Sequence, residues 1–183
     1  MFATLPAMEQ RFNFDEIKRL YKQYYGEAVE RGIHHLPYYE IQQWDQVLNK
    51  IDGRIFEDVR AMGIPLYPIF PVTEGTYLHF ANPFCRVGIE IIYKSTPQAL
   101  VERKVNLLKA EGWTIYTTNS QQTYYGIEEF FKLKRKNETI DFDDLPDETK
   151  YSFAKKYNTE NAACLLYYLK VTYFMESSKT GHF

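Results

Sequence analysis

Apolar residues recur at three- and four-residue steps in two stretches near the start of the chain, a spacing typical of amphipathic helices. Residues 13–31 carry the first stripe, with Asn13 as the predicted N-cap. Residues 39–62 carry the second stripe, which Gly53 would divide into two helices. The pattern therefore predicts a helical region before any strand.

The residues that follow have the pattern of strands. Residues 66–72 are mostly apolar but include two prolines, which an edge strand tolerates. Residues 77–81 and 86–93 lie on either side of Asn-Pro-Phe-Cys, and this predicts a hairpin. The second hairpin strand is apolar on both faces apart from Glu90, which predicts a central place in the sheet.

Helical spacing then returns at residues 97–111, and after a predicted strand at 113–118 we expect helices at 127–133 and 147–174. This order predicts an α/β (α+β) fold with a mixed central sheet of about four strands flanked by helices. We expect a single domain over residues 1–183. It comprises an N-terminal helical extension (1–55), a core (56–118) and a C-terminal helical region (119–183).

Composition and charge narrow the classes of function. The 183 residues are 45% hydrophobic and 25% charged, which suits a globular protein and excludes a disordered one. The net charge of −2 provides no global basic field, so binding to nucleic acid would need a local patch. The sequence has neither a signal-peptide pattern nor a membrane span, and we expect a cytoplasmic protein. Cys85 and Cys164 have no metal-ligand spacing, and we expect two buried thiols.

Five short segments in residues 56–118 carry a family resemblance. They are Ala-Met-Gly-Ile-Pro at 61–65, Leu-His-Phe-Ala-Asn-Pro at 78–83, Arg-Val-Gly-Ile-Glu-Ile at 86–91, and Lys-Val-Asn at 104–106 followed by Gly-Trp-Thr-Ile-Tyr at 112–116. In order and approximate spacing they resemble motifs of the PD-(D/E)XK, or restriction-endonuclease-like, nuclease superfamily. The closest likeness is to its small single-domain branch related to the very-short-patch repair endonuclease. The resemblance implies a restriction-endonuclease-like αβββαβ core with extra N- and C-terminal helices.

The same resemblance implies a degenerate catalytic site. In active members an Asp on the second strand and a Glu on the third bind Mg²⁺, and a Lys two positions later assists the attacking water. Here Glu90 matches the Glu, but His79 stands at the Asp position and Ile92 at the Lys position. The candidate catalytic residues are therefore Glu90 and His79. Lys94 and Glu57 are weaker candidates, Lys94 because it lies roughly 13 Å along the strand from Glu90.

The spacing of the hairpin gives a separate expectation for this pair. If Asn82 and Cys85 flank a two-residue turn, His79 faces Gly88 and lies diagonal to Glu90, roughly 7 Å away. The two could then share one ion, and a His/Glu pair suits Mn²⁺, Fe²⁺ or Zn²⁺ better than Mg²⁺. His79 and Glu90 are thus metal ligands only if the site is active. Otherwise Glu90 pairs with a Lys or Arg and His79 is a buried core histidine.

Two further features leave their alternatives open. The basic run at the end of the predicted helix 127–133 either binds nucleic acid or forms a solvated helix end. Together with one lysine of the core helix, the candidate nucleic-acid-binding residues are Lys132, Lys134, Arg135, Lys136 and Lys104. The C-terminal helix is apolar almost all the way round. It is either buried in the domain or a homodimer face.

The leading hypothesis is a restriction-endonuclease-like protein that has lost standard Mg²⁺-dependent nuclease activity. It would act as a nucleic-acid-associated or protein-binding module, with DNA or RNA as candidate partners, no membrane contact and no cofactor. One alternative is an active DNA or RNA endonuclease with a rearranged site that uses Mg²⁺ or Mn²⁺. The other is an oligomeric structural or accessory protein.

Overall fold

The computed structural model describes residues 12–120 and 123–175. The fold class is α+β, with a four-stranded mixed sheet and flanking helices, which confirms the predicted fold class. The described helices are α1 (Phe14–Arg31), α2 (Tyr38–Ile41), α3 (Trp44–Val47), α4 (Lys50–Ala61), α5 (Gln98–Ala110), α6 (Ile127–Lys134), α7 (Asp147–Lys156) and α8 (Ala162–Tyr173). The described strands are β1 (Tyr67–Val72), β2 (Thr76–Asn82), β3 (Val87–Ile92) and β4 (Thr114–Asn119). Single 3₁₀ turns lie at Thr73–Gly75 and Phe142–Asp144.

The elements from α4 to β4 follow the predicted order of helix, three strands, helix and strand. The strands lie in the spatial order β1-β2-β3-β4, with β1 at an edge and β3 in an interior position, as their sequences predict. The pairs β1–β2 and β2–β3 are antiparallel, and the sheet is mixed, so β3 and β4 form the parallel pair. Helix α5 makes the crossover that such a pair requires.

Two predicted helices are interrupted. Residues 39–62 form three helices instead of one or two, and the chain does not break at Gly53, whose N–H donates to Asn49 O within the helical turn. The breaks fall at Gln42 and Leu48, where the backbone is extended. Residues 147–174 likewise form two helices. This break is caused by a local cap: the Asn161 side chain accepts a hydrogen bond from the N–H of Cys164, and α8 begins at the next residue.

The chain divides into two compact units, and the predicted single domain with borders at 55 and 118 stays a prediction. Unit 1 comprises Met1–Gly53, Leu66–Glu90 and Thr96–Tyr116; unit 2 comprises Arg54–Pro65, Ile91–Ser95 and Thr117–Phe183. In unit 1, buried Tyr21 on α1 contacts Phe70, and its hydroxyl donates to Pro68 O at 2.6 Å. These contacts hold helix α1 against the edge strand β1.

The core of unit 2 is aromatic. Its buried cluster contains Phe130, Phe131, Phe142, Phe153, Ala154 and Cys164. Six residues of α8 are buried in the chain, which corresponds to the buried-helix alternative for this apolar stretch. Cys164 is buried as predicted, but Cys85 is exposed because it lies in the hairpin turn. In the described part of the chain, no helix has the length and hydropathy needed to cross a membrane.

Candidate functional site

The β2–β3 hairpin positions the candidate site, and its register differs from the predicted one. Phe80 pairs with Ile89 and Asn82 with Val87, so the turn holds four residues, 83–86, rather than two. The Asn82 side chain causes this, because its Oδ1 accepts hydrogen bonds from the N–H groups of Phe84 (2.8 Å) and Cys85 (3.1 Å). The prediction that His79 faces Gly88 is therefore wrong. Continuing the observed register places His79 directly opposite Glu90.

Glu90 lies at the centre of three ionisable side chains, which we name the ion cluster: His79 of β2, Glu90 of β3 and Lys104 of α5. Glu90 Oε1 lies 2.8 Å from Lys104 Nζ and 3.5 Å from His79 Nδ1. The side chains of His79, Glu90 and Lys104 are only 12%, 5% and 13% exposed. The contact between Glu90 Oε1 and Lys104 is a buried ion pair that lacks the alignment of a hydrogen bond. The alternative in which Glu90 pairs with a Lys is the one observed.

Lys104 reaches Glu90 because it lies on the buried face of its helix. Val101 and Leu108, three residues before and four residues after it, are both buried. Residues at these separations share one face of an α-helix. Lys104 was predicted to bind nucleic acid, and this role stays a prediction; the structure places its ammonium largely buried against a carboxylate. The signal for this placement was available in the sequence as a lysine inside an apolar helical stripe.

The charge of Glu90 and those of its two neighbours shift the pKa values within the cluster. Burial disfavours the ionised form of Glu90, but His79 and Lys104 more than offset this effect and lower the pKa of Glu90 below its ordinary value. Burial also disfavours the protonated imidazole, yet the Glu90 carboxylate outweighs it and raises the pKa of His79. The cluster therefore favours an ionised Glu90 and strengthens proton binding by His79.

Two other side chains border the ion cluster. Asp52, at the start of α4, is 2% exposed and adds to the rise in the pKa of His79. It accepts a hydrogen bond from the Asn49 side chain at 3.3 Å. Tyr77 of β2 lies with its ring centroid 5.5 Å from Lys104 Nζ, a cation–π contact. Asp52 was not predicted, because an acidic residue in the first turn of a helix is usually explained by the helix dipole.

The remaining catalytic candidates lie elsewhere. Glu57 on α4 and Lys94 in the turn after β3 are exposed and belong to unit 2. The ion cluster, by contrast, belongs to unit 1. The structure thus brings together His79, Glu90 and Lys104 from the predicted set.

The basic run of α6 has intramolecular partners. Lys132 Nζ lies 2.7 Å from Asp141, and Lys134 Nζ lies 2.5 Å from Glu160. Arg135 lies over the rings of Phe131 and Phe153, and Lys136 is exposed. Two of the four cations are therefore paired with carboxylates, which weakens the local positive potential that phosphate binding needs.

The donor set of the ion cluster does not fit Mg²⁺. This ion prefers an octahedral shell of oxygens, whereas the cluster offers one imidazole and one carboxylate that already faces an ammonium. Across residues 12–120 and 123–175, no three His, Cys, Asp or Glu side chains form a group suited to a metal ion. What the arrangement can do chemically is hold buried charges in a defined geometry. Comparisons of the chain with protein-family models, with curated proteins and with solved structures gave no match.

Proposed function

We propose that the protein is a restriction-endonuclease-like domain in which an internal ion cluster has replaced the Mg²⁺ site, and that it acts as a binding module without nuclease activity. The proposal rests on the resemblance of residues 56–118 and on the element order αβββαβ. One observation carries the loss of activity: Lys104 Nζ lies 2.8 Å from the carboxylate at the position of the metal-binding Glu.

Charge explains why this cluster opposes a divalent ion. A metal on Glu90 would have to displace the Lys104 ammonium, whose attraction to the carboxylate is little screened in a buried site. It would also have to bind beside an imidazole whose pKa the Glu90 carboxylate raises, and a proton on that imidazole competes with a metal ion. Both effects weaken metal binding relative to a pair of free carboxylates.

Between the two kinds of module, protein binding is favoured over nucleic-acid binding. The chain has a net charge of −2, and Lys132 and Lys134 are neutralised by acidic partners. Sequence-independent binding to DNA or RNA depends on cations that are free to displace counterions from phosphates. The predicted homodimer through the C-terminal helix is not proposed, because six apolar residues at the centre of its predicted face, Ala162–Leu166 and Leu169 of α8, are buried in the chain.

A cleavage assay tests the loss of activity. The purified protein is incubated with supercoiled DNA, linear DNA and single-stranded RNA, each with Mg²⁺ or Mn²⁺, and we expect no cleavage above the metal-only blank. Cleavage that disappears in Glu90→Gln but persists in Glu102→Gln, an exposed carboxylate of α5, would overturn the proposal in favour of the active-endonuclease alternative.

A binding assay tests the kind of module. Fluorescence anisotropy with labelled DNA and RNA should show no binding at about physiological salt. At that salt concentration a protein needs several contacts to phosphates to keep its affinity. Tight binding that weakens with added salt, and weakens further in Lys136→Ala, would instead support a nucleic-acid-associated module. Cleavage and binding are separate readouts, so the two parts of the proposal can fail independently.

A further inference from the structure

Among residues 12–120 and 123–175, no strand pairs with the outer side of β4. β4 has β3 as its neighbour, and Thr114 N–H donates to Arg86 O at 2.8 Å on the β3 side. In a parallel ladder, the backbone N–H and C=O groups of alternate residues bond to the partner strand. The backbone groups of Tyr116 and Thr118 are therefore directed at β3, and those of Ile115, Thr117 and Asn119 are directed away from it. The N–H of Asn119 agrees with this assignment, since it donates outward to Thr159 O at 2.8 Å. The outward backbone groups of Ile115 and Thr117 therefore form the open part of the edge.

The two edges of the sheet differ in how they are protected. Edge strands of soluble proteins carry prolines, charges or local distortions that prevent pairing with another chain. β1 has Pro68, Pro71 and a positive φ of 48° at Ile69. β4 has the sequence Thr-Ile-Tyr-Thr-Thr-Asn, with neither a proline nor a charge, and residues of high strand propensity. By this comparison β4 is the edge suited to accept a strand.

We propose that β4 pairs with β4 of a second copy of this chain, antiparallel around a twofold axis. An axis through Tyr116 places Ile115 opposite Thr117 of the second copy, and Thr117 opposite its Ile115. Both pairs then direct their N–H and C=O groups at each other, which gives four hydrogen bonds. The two Tyr116 side chains meet at the axis as a non-hydrogen-bonded pair, where side chains are closest.

The absence of charge in β4 favours a second copy over a different peptide. Around a twofold axis each residue meets itself or a near neighbour of its own sequence, so a charged strand would bring like charges together. The six uncharged residues of β4 avoid this repulsion, and they offer no charge for recognition of an acidic or basic peptide. The pairing does not depend on the ion cluster or on the proposed loss of nuclease activity.

Mass measurements across a concentration series test the pairing. Sedimentation velocity should give 21.8 kDa at low concentration and a mass that rises toward twice this value. Thr117→Pro removes the donors of two of the four hydrogen bonds without removing a donor to β3, and it should weaken dimerisation by about 10-fold or more. Thr117→Val keeps the backbone donor and should dimerise within about 2-fold of the wild type.

Hydrogen exchange of the unmodified chain provides a second measurement, in case the proline variant does not fold. The amides of Ile115 and Thr117 should become more protected as concentration rises, while those of Tyr116 and Thr118 stay protected throughout. A mass that stays at 21.8 kDa at all concentrations would overturn the proposal. So would a dimer whose formation leaves exchange at Ile115 and Thr117 unchanged, since that dimer would use another surface.

Discussion

Replacing Lys104 by Met tests how strongly the ion cluster depends on its cation. Methionine keeps most of the buried aliphatic volume but removes the ammonium, which leaves the Glu90 carboxylate with His79 alone. Because the Glu90 side chain is only 5% exposed, water cannot take over the role of the lysine without a rearrangement of the core. We therefore expect this single change to destabilise the fold clearly.

The magnitude follows from the geometry. At 2.8 Å and an effective dielectric constant of about 20, the attraction between the ammonium and the carboxylate is about 6 kcal/mol. Removal of the lysine also removes the cost of dehydrating it, so the net loss is smaller. Breaking a buried pair from one side typically costs about 3–5 kcal/mol, and we expect Lys104→Met to lower the free energy of unfolding by about 3 kcal/mol.

Urea unfolding of four proteins measures this effect: wild type, Lys104→Met, Glu90→Gln and the double variant. In the double variant neither member of the pair is left as a buried charge without the other, so this variant should be more stable than the sum of the single effects by about 2 kcal/mol. Lys109→Met makes the same substitution at an exposed position of α5 and should change stability only slightly. A loss below about 1 kcal/mol for Lys104→Met, together with additive effects in the cycle, would refute the reasoning.

Two further predictions concern pH and helix capping. Because the pKa of His79 is raised in the folded chain above 6.5, its contribution to stability should be complete below about pH 6.5 and lost as pH rises through the raised pKa. The pKa of Glu90 is lowered, so its contribution to stability should be present above about pH 4.5 and lost on further acidification. Urea unfolding at several pH values measures the loss of stability in both directions. Asn161→Ala removes the cap of α8 and the hydrogen bond from Nδ2 to Tyr125 O, and the free energy of unfolding should fall by about 2 kcal/mol.

Each of these predictions has its own control. In His79→Gln, the loss of stability with rising pH should disappear, while the loss on acidification should remain. A loss with rising pH that persists in this variant would assign the effect to another group. Asn13→Ala removes the exposed cap of α1 and should cost less than Asn161→Ala, whose side chain is buried. Equal losses for the two asparagines would show that burial of the cap adds nothing.

The order of elements was predictable because it depends on short stretches of sequence. The stripe of α1 and its Asn13 cap, the two prolines of an edge strand, and the apolar run of β3 each act within a few residues. The breaks at Gln42 and Leu48 were missed, since neither residue type is a strong helix breaker. The sequence resemblance to restriction-endonuclease-like nucleases stays a prediction.

The register of the hairpin was harder to predict. Asn-Pro-Phe-Cys indicates a turn but not its length, and the length depends on whether the Asn82 side chain bonds to the backbone inside the turn. With the predicted two-residue turn, His79 faces Gly88; with the four-residue turn, Gly88 pairs with Ala81, and the same register continued by one residue beyond Phe80 and Ile89 places His79 opposite Glu90. One side-chain hydrogen-bonding choice therefore decides whether His79 and Glu90 are diagonal or directly opposite.

The sequence alone determined that His79 and Glu90 lie on adjacent strands and that Lys104 lies within an apolar helical stripe. Only the tertiary structure decided that Lys104, rather than Lys94, contacts Glu90 and that Asp52 contributes to the charge around His79. The physical reason is the separation in sequence over which each interaction acts. Helical stripes and caps depend on residues within about four positions of each other. The partner of a buried charge is whichever opposite charge the packing of distant segments brings within a few ångströms.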